Sequence, residues 1–360
     1  MSKEGRAISA GHGGAAEAAP AGIQAGGVTR WFTGHVPGVH PPLAFVRIAG
    51  GQSNLTYTVA DQAGGRWVLR RPPLSGVLPS AHDMAREHRI IAALAATDVP
   101  VPHTFGLCDD ESVTGAPFYV MEHVDGVVPH DEDTVVAAFG LAERAAASAA
   151  LVDVLVALHR VDPAAVGLGQ LGRGHGYVER QLARWRRQWE QSKTRELPAV
   201  EEVHRRLAAR VPAQDRVAIV HGDYRLDNLI LSPAGEVRAV IDWELSTLGD
   251  PMADLGLLMV YWAEAGDEML PLGTAPTRLP GFPTRAEVAA AYAKRAGHGV
   301  DDLEFFVALG YWKLAVILEG VYARFAAGAY GRDDQSWREF PGVVSRLADL
   351  ALAAATRAGR

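Results

Sequence analysis

The sequence predicts an α+β, two-lobed chain: an antiparallel sheet with one helix comes first, and a larger, mostly helical lobe follows. Three observations carry this. Strand-like runs separated by glycine turns crowd residues 43–71, helical apolar runs dominate from about residue 133, and a hairpin at 229–241 flanked by acids interrupts the helical half. At 360 residues, 48% of them hydrophobic, the chain can bury a sizeable core. A net charge of -7 gives no footprint for nucleic acid or an anionic membrane surface. The single cysteine, Cys108, excludes an intramolecular disulfide and a cysteine-based zinc site, and fits a reducing, cytoplasmic setting. Lys3 and Arg6 are followed by no apolar run of signal-peptide type. The longest apolar stretch, 305–325, is broken by Lys313, Glu319 and Arg324 and reads as a core helix rather than a membrane span.

Residues 1–27 are rich in Gly and Ala without periodicity and read as a disordered tail. The small lobe, 28–122, opens with a short helix holding Trp31 and Phe32, then strands at 43–48 and 55–59. The turn between them, Ala49-Gly50-Gly51-Gln52-Ser53-Asn54, is of a kind that lays backbone N–H groups and the Ser53 hydroxyl over phosphates. In the next strand, period-two alternation puts Val68 and Arg70 on one face and Trp67, Leu69 and Arg71 on the other. A helix capped by Ser80 follows, its apolar stripe made of Met84, Ile90, Ile91 and Leu94. Glu87 falls on that stripe, and an inward acid requires a cation, because an unpartnered buried charge costs ~3–5 kcal/mol. The prolines of 99–102 end that region, and strands are expected at 104–107 and 118–121.

The large lobe, 127–360, shows helical runs at 133–138 and 144–160 and helices beginning near 252, 284, 301 and 335. Asp250 with Pro251 reads as an N-cap followed by proline at the first helical position. The stretch 177–195 carries Arg180, Arg184, Arg186, Arg187, Lys193 and Arg195 interleaved with Trp185 and Trp189. It is either a solvated basic face with its tryptophans turned inward or an anion-attracting wall.

The chemistry concentrates in 221–244, HGDYRLDNLILSPAGEVRAVIDWE. Asp223 is followed five residues later by Asn228, then by a strand, a Ser-Pro-Ala-Gly turn, a second strand and Asp242, so the hairpin brings two acids and an amide together. Phosphoryl transfer from ATP needs a carboxylate to take the acceptor hydroxyl's proton and oxygen ligands to hold Mg2+ on the phosphates. Asp223 suits the base, and Asn228 and Asp242 suit the metal.

These blocks, with GGQSNLTY (50–57), WVLRRPP (67–73), PFYVMEHVDG (117–126) and IDWELSTLGDPMADLG (241–256), resemble the aminoglycoside phosphotransferase and choline kinase-like family. Within it they are most like the kinase-like domain of acyl-CoA dehydrogenase family members ten and eleven. The resemblance implies a protein-kinase-like fold with a hinge at 123–126, where adenine meets the backbone from Glu122 to Val124. It also implies a nucleotide site of Gly51, Ser53, Asn54, Val68 and Arg70, with Glu87 aiming Arg70 at the phosphates; Arg71 competes for that role. An arginine where kinases carry a lysine departs from the usual pattern, although guanidinium binds phosphate through a bidentate fork. Asp254 and His221 would brace the catalytic loop. The expected partner is a small-molecule hydroxyl acceptor such as a hydroxy-acid or hydroxyacyl-CoA, and an aminoglycoside suits the basic stretch less. The rival is a nucleotide-binding pseudokinase without transfer activity.

Overall fold

A computed structural model describes residues 19–48, 54–74, 82–268, 274–327 and 336–359. In chain order these form α1 (Ala25–His35), β1 (Ala44–Arg47), β2 (Leu55–Ala60), β3 (Arg66–Arg71), α2 (Met84–Leu94), β4 (Thr104–Cys108), β5 (Phe118–Glu122), α3 (Glu132–Ala138) and α4 (Leu141–Arg160). The chain continues with α5 (Tyr177–Ser192), α6 (Pro198–Ala209), β6 (Ala218–Val220), β7 (Leu229–Leu231), β8 (Val237–Val240), β9 (Thr247–Gly249), α7 (Met252–Tyr261), α8 (Arg285–Ala296), α9 (Leu303–Ala326) and α10 (Phe340–Arg357). It divides into two compact units. One holds the described residues up to Ala85 with Phe105–Met121, and the other holds Arg86–Thr104 and the described residues from Glu122 onward. Residues 86–104 fall to the larger unit rather than to a continuous 28–122 lobe because they bond into it. Arg86 Nη1 donates to the Glu244 carbonyl at 3.2 Å, and Val240 N to the Pro100 carbonyl at 2.8 Å.

The small unit is built on a five-stranded sheet of order β1-β2-β3-β5-β4, with β2 antiparallel to both β1 and β3. On β2 the alternation is clean: Leu55, Tyr57 and Val59 are buried while Thr56 and Thr58 are half-buried. On β3 it fails, since Trp67, Val68 and Leu69 are all buried. α1 begins three residues before the expected Val28. Val28, Trp31 and Phe32, at helical spacing, are buried with Tyr57, Trp67, Leu69 and Phe118. Trp31 meets the Phe118 ring edge-on at 5.1 Å and Phe32 meets Trp67 at 5.9 Å. Cys108 is buried against the Asp110 carbonyl, and burial pushes its thiol up, as suits an inert position.

The larger unit is organised around α9, against which α7 and α10 pack. Gly256 makes the closeness of α7 possible: a Cβ there would stand 2.5 Å from Phe306 Cβ. By length and composition α9 could cross a membrane, yet 72% of that stretch is buried inside the unit. Glu319, fully buried, accepts from Thr194 N at 2.9 Å, from Thr194 Oγ1 at 2.7 Å and from Arg195 Nη1 at 2.9 Å. Three elements differ from the sequence expectation. α6 and the antiparallel pair β6–β9 were not anticipated. The N-cap of α7 falls on Pro251 rather than Asp250, whose carboxylate still accepts Met252 N at 2.9 Å.

Candidate active site

β7 and β8 form the expected hairpin, with Leu229 opposite Val240 and a bulge between Ile230 and Leu231. Its turn is tied by Ser232, whose Oγ accepts from Ala234 N at 3.3 Å and Glu236 N at 3.1 Å, and Gly235 supplies the left-handed residue at φ 84°. At the open end Ile241 N donates to the Asn228 carbonyl at 2.9 Å, so Asn228 and Asp242 leave the ladder side by side. Asp242 is the one non-glycine among the described residues with positive φ, 67°. A buried aspartate one turn into α7 sets the loop before the hairpin. Asp254 Oδ2 accepts His221 N at 2.7 Å and Oδ1 accepts Gly222 N at 2.8 Å, while His159 Nε2 lies 3.3 Å from Oδ2. Burial alone would raise the Asp254 pKa, but His159 and the loop amides outweigh it and hold the carboxyl below its usual range. His221 joins loop to hairpin: its Nε2 donates to the Ile241 carbonyl at 3.0 Å and its Nδ1 accepts from Asp223 N at 3.3 Å. A ring bonded at both nitrogens is a prop, not a base.

Asp223 and Asn228 meet. Asn228 Nδ2 donates to the Asp223 carbonyl at 2.8 Å and to Asp223 Oδ2 at 3.1 Å, which turns the amide oxygen away from Asp223. An amide oxygen and a carboxylate at neighbouring hairpin ends are hard oxygen donors of the kind Mg2+ takes from a protein while phosphates and water fill the rest of its octahedron. No group of three His, Cys, Asp or Glu side chains that could hold a metal by themselves occurs among the described residues.

Three residues that the sequence reading missed surround the base. Arg225 Nε lies 3.4 Å from Asp223 Oδ2, its Nη1 lies 3.0 Å from Asp227 Oδ2, and its guanidinium covers the Tyr261 ring at 4.7 Å. Burial would lower the Arg225 pKa, but Asp223 and Asp227 raise it above the ordinary arginine range. Tyr261 is pushed up by burial and by its hydrogen bond to Asp223. Lys313 reaches the loop from α9, where Nζ donates to the Gly222 carbonyl at 3.2 Å. Arg225 was visible only as a charge in the motif. Tyr261 and Lys313 carry no local signal, being 38 and 90 residues from Asp223 in the chain.

The remaining expected site residues fall as follows. Gly51 and Ser53 lie outside the described residues, as does Ser80. Asn54 is buried, its Oδ1 2.8 Å from His82 Nδ1. Val68 and Arg70 stand on β3 of the small unit, and Glu87, 2% exposed, stands on α2 of the larger one. Arg71 is committed within the small unit: it donates to the carbonyls of Gly22, Thr114 (2.9 Å) and Pro72 (3.3 Å). Glu122 ends β5, pairing its N with the His103 carbonyl at 2.7 Å, and Val124 is half-buried in the segment after it. In the basic stretch, Trp189 is fully buried, and Arg186, Lys193 and Arg195 are ion-paired with Glu201, Glu190 and Glu319. The solvated-face reading holds for these residues.

The sequence profile of the phosphotransferase enzyme family matches residues 44–304. Acyl-CoA dehydrogenase family member 10 of Mus musculus is 37% identical over 88% of this chain, which spans only 30% of that longer protein. A Ralstonia eutropha protein assigned by name to the aminoglycoside phosphotransferases superposes with a TM-score of 0.79 at 34% identity, covering 92% of this chain and 98% of that one. An aminoglycoside phosphotransferase mutant in complex with AMP-PNP and hygromycin B shares the fold, at a TM-score of 0.59 and 14% identity over 90% of this chain and 98% of that one. With a helix-backed sheet in the small unit and a loop–hairpin acid set in the larger, helical one, the chain belongs to the phosphotransferase enzyme family and has its protein-kinase-like fold.

Proposed function

We propose that the protein transfers the γ-phosphoryl group of ATP, with Mg2+, to a hydroxyl of a small molecule. The observation that carries this is the Asp223–Asn228 contact at the open end of the hairpin, one residue along the ladder from Asp242. In the proposed step Asp223 takes the acceptor hydroxyl's proton as that oxygen bonds to the γ-phosphorus. The bond to the β–γ bridging oxygen breaks and ADP leaves. Asn228 Nδ2 fixes the Asp223 carboxylate, and Arg225 steadies it from the other side. Asn228 Oδ1 and Asp242 would hold Mg2+, which when bound neutralises charge on the phosphates. Arg70 and the backbone from Glu122 to Val124 would each serve the nucleotide, a role supported by their places in the family pattern and by the complex of the fold relative with AMP-PNP. Hydroxy-acids and hydroxyacyl-CoA esters are the acceptors we favour, since the curated relatives join this domain to an acyl-CoA dehydrogenase name.

A phosphate-transfer screen over hydroxy-acids, their CoA esters, amino alcohols and aminoglycosides, read by acceptor mass shift, tests the reading. Asp223→Asn should lower kcat by ~10^2–10^4 with little change in nucleotide affinity. Wild-type turnover by that variant removes Asp223 as the base. ATP binding without transfer to any acceptor favours the pseudokinase instead.

A further inference from the structure

The proposed base leaves the loop from a single peptide unit, the one joining Gly222 to Asp223, and both polar groups of that unit are held. Asp223 N donates to His221 Nδ1 at 3.3 Å, and the Gly222 carbonyl accepts from Lys313 Nζ at 3.2 Å. Gly222 is confined on its other sides as well. Its N donates to Asp254 Oδ1 at 2.8 Å, and at φ 85° a Cβ there would stand 2.8 Å from the Leu245 carbonyl oxygen. Of these supports, Lys313 comes from farthest away, the middle of α9, 90 residues beyond the base. It is held in turn. Its Nζ lies 5.6 Å from the centroid of the Trp185 ring, whose Nε1 donates to Gln181 Oε1 at 2.9 Å, so α5 fixes the surface against which the ammonium rests. Asp254 lines the same small cavity as Lys313, and Asp223 and Asp254 favour the charged form of the lysine while Arg184 on α5 opposes it. The ammonium is thus balanced by acids of the very region it supports. Burial pushes its pKa down, so the charged side chain weakens the fold, and a hydrocarbon of the same length would fill the space without that cost. What the lysine supplies and a hydrocarbon cannot is the hydrogen bond to the residue before the base.

We infer that Lys313 is a positioning residue for the transfer: by holding the Gly222 carbonyl it fixes the peptide unit that carries Asp223, and so the direction in which the base carboxylate leaves the loop. This rests on the phosphotransferase reading and adds to it a residue of α9 that acts through the loop without touching substrate. An ammonium bound to the carbonyl also polarises the peptide and strengthens the bond that Asp223 N gives to His221. Geometry of this kind matters to rate, since a base misplaced by about 1 Å costs ~10^2-fold.

The test compares wild type with Lys313→Met, which keeps the length and removes the donor, and with Lys313→Arg, which restores a donor. Amide hydrogen exchange, followed by NMR on the whole protein without nucleotide, reads the loop directly. In Lys313→Met the Asp223 amide should exchange at least tenfold faster, while the His221 and Gly222 amides, anchored on Asp254, and the amides of α9 keep wild-type rates. Turnover is measured with an acceptor that wild type phosphorylates, or as ATP hydrolysis where it phosphorylates none. There kcat should fall at least tenfold with the KM for ATP within twofold of wild type, and Lys313→Arg should recover part of both losses. An Asp223 amide as protected in Lys313→Met as in wild type overturns the inference, and so does an unchanged kcat. Protection lost throughout α9 together with a lowered melting temperature shows packing only and overturns it too. The two readings fail separately: a wild type that binds ATP without turning it over removes the transfer and the inference with it, whereas turnover with an unchanged exchange pattern removes the inference alone.

Discussion

At the residue scale the site joins groups of very different visibility. Asp223, Asn228 and Asp242 could be read from the sequence because five residues and one hairpin separate them, and local turn chemistry alone brings them together. Lys313 could not, since its role depends on α9 lying against a loop 91 residues earlier. Its environment makes a pH prediction. Burial pushes the Lys313 pKa below the ordinary lysine value; Asp223 on the loop and Asp254 on α7 oppose that shift, and Arg184 on α5 adds to it. The folded state therefore holds this proton less tightly than the unfolded chain does, so stability should rise as pH climbs from the lowered pKa toward the ordinary lysine value. The urea midpoint should therefore rise with pH over that range in wild type and rise less in Lys313→Met. Arg71 shows the opposite lesson: alternation placed it correctly off the Arg70 face, but only the fold reveals that three carbonyls occupy it.

Among elements, the hairpin and α9 carry the most. Gly235 at the hairpin turn combines φ 84° with a space in which a Cβ would stand 2.4 Å from the Glu143 carbonyl oxygen of α4. Gly235→Ala should cost more than the ~1 kcal/mol of a left-handed residue alone, because backbone on α4 cannot give way. Since the turn sets where Asn228 and Asp242 emerge, kcat should drop with the urea midpoint. On α9, Glu319→Ala leaves the Thr194 amide and Arg195 without their acceptor and should lower stability by ~3–5 kcal/mol, whereas Glu319→Gln should lose less. Chemical denaturation of both variants measures the difference. The sequence marked Glu319 as an interruption of an apolar run; its partners lie 125 and 124 residues away and leave no local trace. β6 and β9 escaped notice for a related reason, as three-residue strands are too short to show a period.

For the molecule as a whole, the order of sheet, hairpin and helices was legible because each follows a local rule: glycine turns between alternating strands, 3.6-residue stripes in the helices. Which unit claims α2 was not, because that depends on hydrogen bonds that Arg86 gives to, and the Pro100 carbonyl accepts from, residues far along the chain. The strained conformation of Asp242 has a last consequence, for robustness. Glycine accepts φ 67° freely and alanine does not. Asp242→Gly and Asp242→Ala should both be silent in transfer, yet the glycine protein should outlast the alanine protein by about 1 kcal/mol in a melt. A backbone bent for chemistry is thus a place where sturdiness and catalysis part company, and two equally dead variants, differing by one methyl group, would reveal how much tension the living enzyme carries.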